Sequence, residues 1–206
     1  MPLEIRPAGR AQVTGLAQTL ARAFADDPVW SYVFPDPDAR LARILPRVFS
    51  AQLRYFHLRH GACDYTADDG GRTVAGALWN PPGTWRTSLR DDLVSLPAAV
   101  RAAGRRLAVG FSVVRAMEKV HPAEPHWYLA LIGTDPGVRG SGHGAALLAS
   151  RLAAVDAAGL PAYLESSNPV NVPYYEGFGF RVTGEIRPGR GAPVLHTMWR
   201  PAGGRG

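Results

Sequence analysis

Residues Trp127 to Ala145, WYLALIGTDPGVRGSGHGA, change character twice. Trp127 to Ile132 is apolar and aromatic and reads as a buried strand, which Gly133-Thr134-Asp135-Pro136 interrupts. Arg139-Gly140-Ser141-Gly142-His143-Gly144 then leads straight into an Ala/Leu-rich helix. Glycines at 140, 142 and 144 remove the side chains that keep a ligand away from the backbone, so several N–H groups can point into one concavity. The positive end of the helix dipole falls at the same place. Strand, loop and helix start together make an anion site suited to a diphosphate.

Two kinds of cofactor fit such a site. Gly140, Gly142 and Ala145 satisfy the dinucleotide pattern G-x-G-x-x-A, and Glu165 ends the next apolar run, where a ribose ligand would stand in an NAD(P)-dependent oxidoreductase. Against this, the first glycine of that fold turns tightly off its strand, whereas here Thr134 to Arg139 intervene. The unit also lies too late in the chain to complete a doubly wound sheet. The alternative is carried by the spacing R-x-x-G-x-G after a strand, which resembles the pyrophosphate loop of the GNAT N-acetyltransferase superfamily. That resemblance implies acetyl-CoA as co-substrate.

Composition sets the outer limits. The chain has 206 residues, enough for one well-buried domain and few for two. Its 46% hydrophobic and 19% charged residues are those of an ordinary globular protein. The net charge is +6, carried almost wholly by arginine, since Lys119 is the single lysine. No basic run or aromatic–basic stripe points to nucleic acid. Cys63 is alone, which excludes an intrachain disulfide and a cysteine-built zinc site, and no metal site is expected. The start MPLEIRPAGR has no apolar signal core and no segment reaches membrane-spanning length, so a cytoplasmic protein with no membrane partner is the expectation.

The remaining elements follow from periodicity. Leu3–Arg6 reads as a strand, and Val13, Leu16, Leu20 and Phe24 mark an amphipathic helix over about 11–25, ended by Asp27-Pro28. An aromatic stretch, 29–34, precedes a helix capped by Asp38 and running to about Arg59, with Pro46 as its expected break. Cys63–Thr66 and Thr73–Trp79 form a hairpin around Asp68-Asp69-Gly70-Gly71. Residues 88–120 read as a helical insertion of two helices, divided near Pro97 or Gly104, and are a candidate homodimer interface. Then come a strand at 127–134, a helix at 142–158, a strand at 162–166, a short helix at 172–177 and strands at about 180–186 and 194–199. The whole is one α/β domain over 1–200 with a mixed sheet, followed by a flexible tail, 201–206.

A second motif lies at 165–180, ESSNPVNVPYYEGFGF. Asn168, Tyr175, Glu176, Gly179 and Phe180 stand in register with the N-x-x-x-x-x-x-Y-E-x-x-G-F signature of the GNAT superfamily. Within that superfamily, Ala23–Asp26, Glu124–Ala130, Pro161–Glu165 and Asn171–Glu176 resemble the puromycin N-acetyltransferases. The acceptor-side loops depart from them, which leaves puromycin itself unassigned as substrate. Where the superfamily usually has Gln at the head of the loop, this chain has Arg139, a position that serves mainly through its backbone.

The resemblance implies a mostly antiparallel central sheet, splayed in the middle so that a pantetheine arm lies in it like an added strand. It places the backbone of Ile132, Gly133 and Thr134 against the acetyl group, where one N–H facing the carbonyl oxygen is worth about 3 kcal/mol. Arg139, Gly140, Ser141, Gly142, His143, Gly144 and Ala145 would hold the diphosphate. Asn168 and Asn171 are both candidates for the pantetheine amides, and each is also a candidate helix cap. Tyr175 is the candidate general acid for the departing thiolate, with wall packing as the alternative, while Tyr174 reads as core. Glu165 is the candidate base, directly or through water, or else the partner of the substrate ammonium. His121 and His126 flank the start of the central strand and have intrinsic pKa values suited to a base, with a surface or turn position beside Pro122 and Pro125 as the alternative reading of each. Asp26, Asp27, Trp30 and Tyr32 are expected to line the pocket for a small-molecule amine with an apolar or aromatic body.

Overall fold

The computed structural model describes residues 3–86, 97, 100, 101 and 104–204. Among the described residues, seven strands form one sheet in the order β1-β2-β3-β4-β5-β7-β6. They are β1 (Arg6–Pro7), β2 (Cys63–Ala67), β3 (Thr73–Asn80), β4 (Trp127–Thr134), β5 (Ala162–Ser166), β6 (Arg181–Ile186) and β7 (Leu195–Arg200). Every neighbouring pair is antiparallel except β4 with β5. This is the mixed, mostly antiparallel sheet expected, and it lacks the run of parallel strands on which a dinucleotide fold depends.

The splay has a visible cause. Against β3, Leu78 faces Leu131 and Trp79 faces Leu129, so Ala130 is an extra residue that bulges from β4. A bulge bends its strand. From that point β4 and β5 stop pairing: Leu129 opposite Leu164 is their last match, although β4 runs on to Thr134 and β5 to Ser166.

Helices cover both faces. Helix α1 (Val13–Ala23) lies across β3 and β4 with Leu16, Ala17 and Leu20 buried. It approaches so closely because Gly76 and Gly133 stand opposite each other beneath it. A Cβ on Gly133 would lie 2.8 Å from Ala23 Cβ and 3.1 Å from Leu20 Cδ2. Gly133 is therefore a site of close backbone approach, and the bulge sits three residues earlier. Gly133→Ala is expected to cost about 1–3 kcal/mol by overpacking, read as a lower urea midpoint with an unchanged m-value. On the opposite face, α6 (His143–Ala157) and α7 (Val172–Glu176) pack Leu147, Leu148, Val155 and Tyr175 against Trp79, Leu129, Leu164 and Phe180.

Several expectations are corrected. The first strand is Arg6–Pro7, not Leu3–Arg6, paired with Tyr65 and Asp64. Asp27-Pro28 does not merely end α1. Asp27 caps a further short helix, α2 (Pro28–Val33), by accepting the amides of Val29 and Trp30 at 3.0 and 3.1 Å, with Pro28 at the first position, where no N–H is needed. In the next helical segment the cap is Asp36, which accepts the Ala39 amide, and Asp38 falls inside the first turn. That segment runs unbroken to His60 through α3 (Pro37–Ala39), a π turn (Arg40–Ile44), α4 (Leu45–Gln52), a second π turn (Leu53–His57) and a 3-10 turn (Leu58–His60). The π turn explains why Pro46 does not break it. Leu45 N–H reaches back five residues to the Arg40 carbonyl, and the wider backbone takes the proline ring.

Most of 88–103 lies outside the described residues. Gly104, at φ +51, opens a 3-10 turn leading into α5 (Leu107–Val120). Arg106 ties its start to α2 by donating to the carbonyls of Val33 and Tyr32. No helix among the described residues is long and apolar enough to cross a membrane.

Candidate active site

The loop from β4 to α6 has the expected form. Asp135 accepts the Gly137 amide and forms an ion pair with Arg22 at 2.8 Å, which fixes the end of β4. Gly140 and Gly142 then take φ of +84 and +85, a left-handed backbone that L side chains adopt at a cost. The first helical bond of α6 runs from the Ala146 amide to the Gly142 carbonyl, and Gly142 offers no side-chain cap. The amides of Gly142, His143, Gly144 and Ala145 therefore point out of the helix start, as an anion requires.

Gly144 serves differently. A Cβ there would stand 3.2 Å from Thr134 Oγ1 and 3.4 Å from the Tyr174 hydroxyl, so its bareness lets β4 and α7 meet the loop. Arg139 turns its side chain away to the Ala23 carbonyl, and His143 Nδ1 lies 2.9 Å from Thr66 Oγ1 beneath the sheet.

A cavity of about 760 Å³ opens where β4 and β5 part. Ala130, Leu131 and Ile132 form one wall, Leu164, Glu165, Ser166 and Ser167 another, and Asn171 and Tyr175 close the side next to the loop. Trp30, Val113, Val114 and Met117 make an apolar vault over it. Of the residues expected at the site, the cavity brings together Asp27, Trp30, Ile132, Glu165, Asn171 and Tyr175. Asp26 is exposed outside it, and Tyr32 instead packs at the edge of the α1 core.

Asp27 is heavily engaged. One carboxylate oxygen caps α2 and the other accepts from the Ser167 hydroxyl, so its place in the wall is secured by bonds within the protein. Burial raises its pKa. Asn168 likewise spends its side chain on the Val170 amide and caps a 3-10 turn. Asn171, one turn on, faces the cavity. Tyr174, expected in the core, is instead 39% exposed beside the helix start of α6.

Tyr175 is buried against Phe180 and Tyr174. Burial raises its pKa well above that of an ordinary phenol, and the Tyr174 and Asp27 charges add to the effect. Glu165 lies deeper, its side chain 1% exposed. The buried hydroxyls of Tyr128 and Tyr163 face it, and after desolvation its charge is what holds both phenols protonated.

His121 and His126 are not the surface turn residues their prolines suggested. His121, at the C-terminal end of α5, is sandwiched between the Trp85 ring at 3.6 Å and the edges of Tyr128 and Tyr163 at 4.9 Å. His126 is buried against Tyr163 and Trp199. No local pattern signals this, because its partners Trp85 and Tyr163 come from distant parts of the chain. Cys63, by contrast, is an inert buried thiol: desolvation and the neighbouring Asp64 charge push its pKa up to about 12.

Outward helix-start amides, a sheet parted at β4–β5 and a cavity lined by a phenol and a carboxylate lie together on one side of the fold's central seam. A model of the Acetyltransferase (GNAT) family matches residues 17–180, and the chain belongs to that family. It is 30% identical to an uncharacterized N-acetyltransferase of Schizosaccharomyces pombe over 173 residues, 80% of this chain and 68% of the relative. The crystal structure of a histone acetyltransferase HPA2 and related acetyltransferase from Corynebacterium glutamicum superimposes with a TM-score of 0.76 at 29% identity, covering 98% of this chain and 97% of that one. Arylalkylamine N-acetyltransferase 2 from Aedes aegypti shares the fold, with a TM-score of 0.67 at 12% identity over 98% and 99% of the two chains. Family membership implies N-acetyl transfer with acetyl-CoA as donor, and the outward amides of 142–145 together with the opened β4–β5 seam fit that molecule.

Proposed function

We propose that this protein transfers an acetyl group from acetyl-CoA to the primary amine of a small molecule, by direct attack with both substrates bound. The observation that carries the reading is the meeting of the loop and the cavity. Thr134 and Tyr174 stand beside the space a Cβ on Gly144 would fill at the helix start, while their neighbours Ile132 and Tyr175 line the cavity with Glu165. The amides of 142–145 would hold the diphosphate and Asn171 a pantetheine amide, Asn168 being spent as a cap. Acetyl-CoA supplies the activated thioester. Glu165 takes the proton from the acceptor nitrogen, and Tyr175 delivers its phenolic proton to the sulfur that leaves. The apolar vault around Trp30 and the buried carboxylate beneath it suit an amine with an apolar or aromatic body.

Calorimetric titration with acetyl-CoA, beside NADH and NADPH, tests the cofactor. Micromolar binding of acetyl-CoA alone is expected, and tight NAD(P)H binding without it would sink the reading. Thiol release is then followed over a panel of arylalkylamines, agmatine, puromycin and peptides with free N-termini. Binding without release from any amine would favour the alternative, a non-catalytic acyl-CoA sensor on the same fold.

A further inference from the structure

The cluster of two histidines and a carboxylate at the inner end of the cavity has its proton positions fixed by its partners. His126 Nδ1 lies 2.6 Å from the Glu124 carbonyl, which can only accept, so Nδ1 carries that ring's hydrogen. Desolvation lowers the His126 pKa and keeps the ring neutral, which leaves Nε2 as a lone pair. That lone pair is 3.0 Å from His121 Nε2, so His121 Nε2 must be the donor. The remaining nitrogen, His121 Nδ1, then faces Glu165 Oε1 at 3.6 Å, with side-chain exposures of 2% and 1%. Oε1 is buried with no hydrogen-bond partner among the described residues. His121 Nδ1 and Glu165 Oε1 thus face each other out of water, with no other hydrogen-bond partner for Oε1 among the described residues, as a pair able to share one proton.

We propose that His121 is the positioning partner of Glu165 in deprotonating the acceptor: Glu165 takes the ammonium proton and His121 Nδ1 stores it. The ammonium N–H bond breaks, its electron pair stays on nitrogen, and the proton ends on Nδ1 as an imidazolium–carboxylate pair. It leaves to solvent when the product departs. The titratable groups facing His121 are Glu165 and Tyr163 from β5, Tyr128 from β4 and His126 from the preceding loop, with Trp85 stacked on the open face. Burial raises the pKa of both tyrosines, which stay neutral.

The proposal rests on the acetyltransferase reading, and its test separates the two. The profile of kcat/KM against pH is measured for wild type and His121→Asn, using the best amine of the panel. Asparagine keeps a polar atom near Nδ1 to hold Glu165 but cannot store a proton. A loss on the order of 10²-fold at neutral pH is expected, shrinking as pH rises and the amine deprotonates unaided, with calorimetric acetyl-CoA affinity unchanged. A loss equal at every pH, or no loss, overturns the proposal while the acetyltransferase reading stands. No thiol release by wild type overturns both. A measurement free of activity decides the proton positions: in long-range 1H–15N spectra of histidine-labelled protein, His126 is expected as the Nδ1–H tautomer. His121 is expected to keep Nε2–H. A His121 ring protonated at Nδ1 with Nε2 bare overturns the assignment.

Discussion

Tyr175→Phe is expected to lower kcat by about 10²-fold while acetyl-CoA still binds with wild-type affinity in calorimetry. The substitution keeps the ring that packs on Phe180 and Tyr174 and removes one hydroxyl. Because burial raises the phenol's pKa, that hydroxyl carries its proton throughout the working range and has it ready when the sulfur becomes charged. The interaction exists only as the bond to sulfur breaks, so kcat and kcat/KM should fall together. No alkaline limb of the wild-type pH profile should belong to this group. A Phe variant with wild-type kcat would reduce Tyr175 to a wall of the cavity, leaving the thiolate to be protonated from solvent.

His57 is expected to make the fold sensitive to acid. It is buried at the end of the rod that begins at Pro37, and its Nδ1–H donates to Asn80 Oδ1 at 2.8 Å while Asn80 donates to the Thr84 carbonyl. Desolvation depresses its pKa to about 4. Above about pH 6.5 the ring is neutral whether the chain is folded or not, and it contributes nothing to the pH dependence. Between pH 6.5 and 4 the unfolded chain binds a proton that the folded one refuses, so stability falls as pH falls. Below the folded pKa the loss levels off at about 3 kcal/mol. Urea unfolding at pH 7 and pH 4 measures it, and His57→Asn, which retains a donor toward Asn80, should flatten the slope. The difference between the two proteins cancels opposing groups such as Asp27, whose pKa is raised. Equal slopes would mean that the ring gains a proton without unfolding.

The parts legible in the sequence are those where one local rule acts alone. Trp127–Thr134, the loop and α6 follow one another with unambiguous periodicity, while the left-handed backbone of Gly140 and Gly142 is a reason for glycine added by the structure to the ligand access expected. The misreadings come where two local rules compete. Asp27-Pro28 and Asp36-Pro37 are stop signals for one helix and start signals for the next, and α2 is too short to show a period. Pro46 breaks an ideal α-helix, but a π turn upstream absorbs it. Asn168 and Asn171 have equal standing in the sequence, and only the fold spends one on a cap and turns the other to the cavity. His121 was misread for a different reason. Its surroundings, Trp85, Tyr128, Tyr163 and Glu165, arrive from three separate segments.

The parting of β4 and β5 leaves the sheet with an edge in its interior. Edges ordinarily lie at the rim, where proline, charge or shortness discourages strand addition, as the two-residue β1 with its Pro7 illustrates. An interior edge is flanked on both sides and admits only something as slender as a strand that carries amides of its own. A ligand that fills it completes the sheet, so part of the folding free energy is held by a molecule the chain does not encode. At a hundredfold excess over its dissociation constant that share is about 2.7 kcal/mol. Resistance to heat and to proteases would then follow the cell's supply of acyl-CoA, and the amides of 130–134 that point away from β3 would exchange slowly only in the loaded protein.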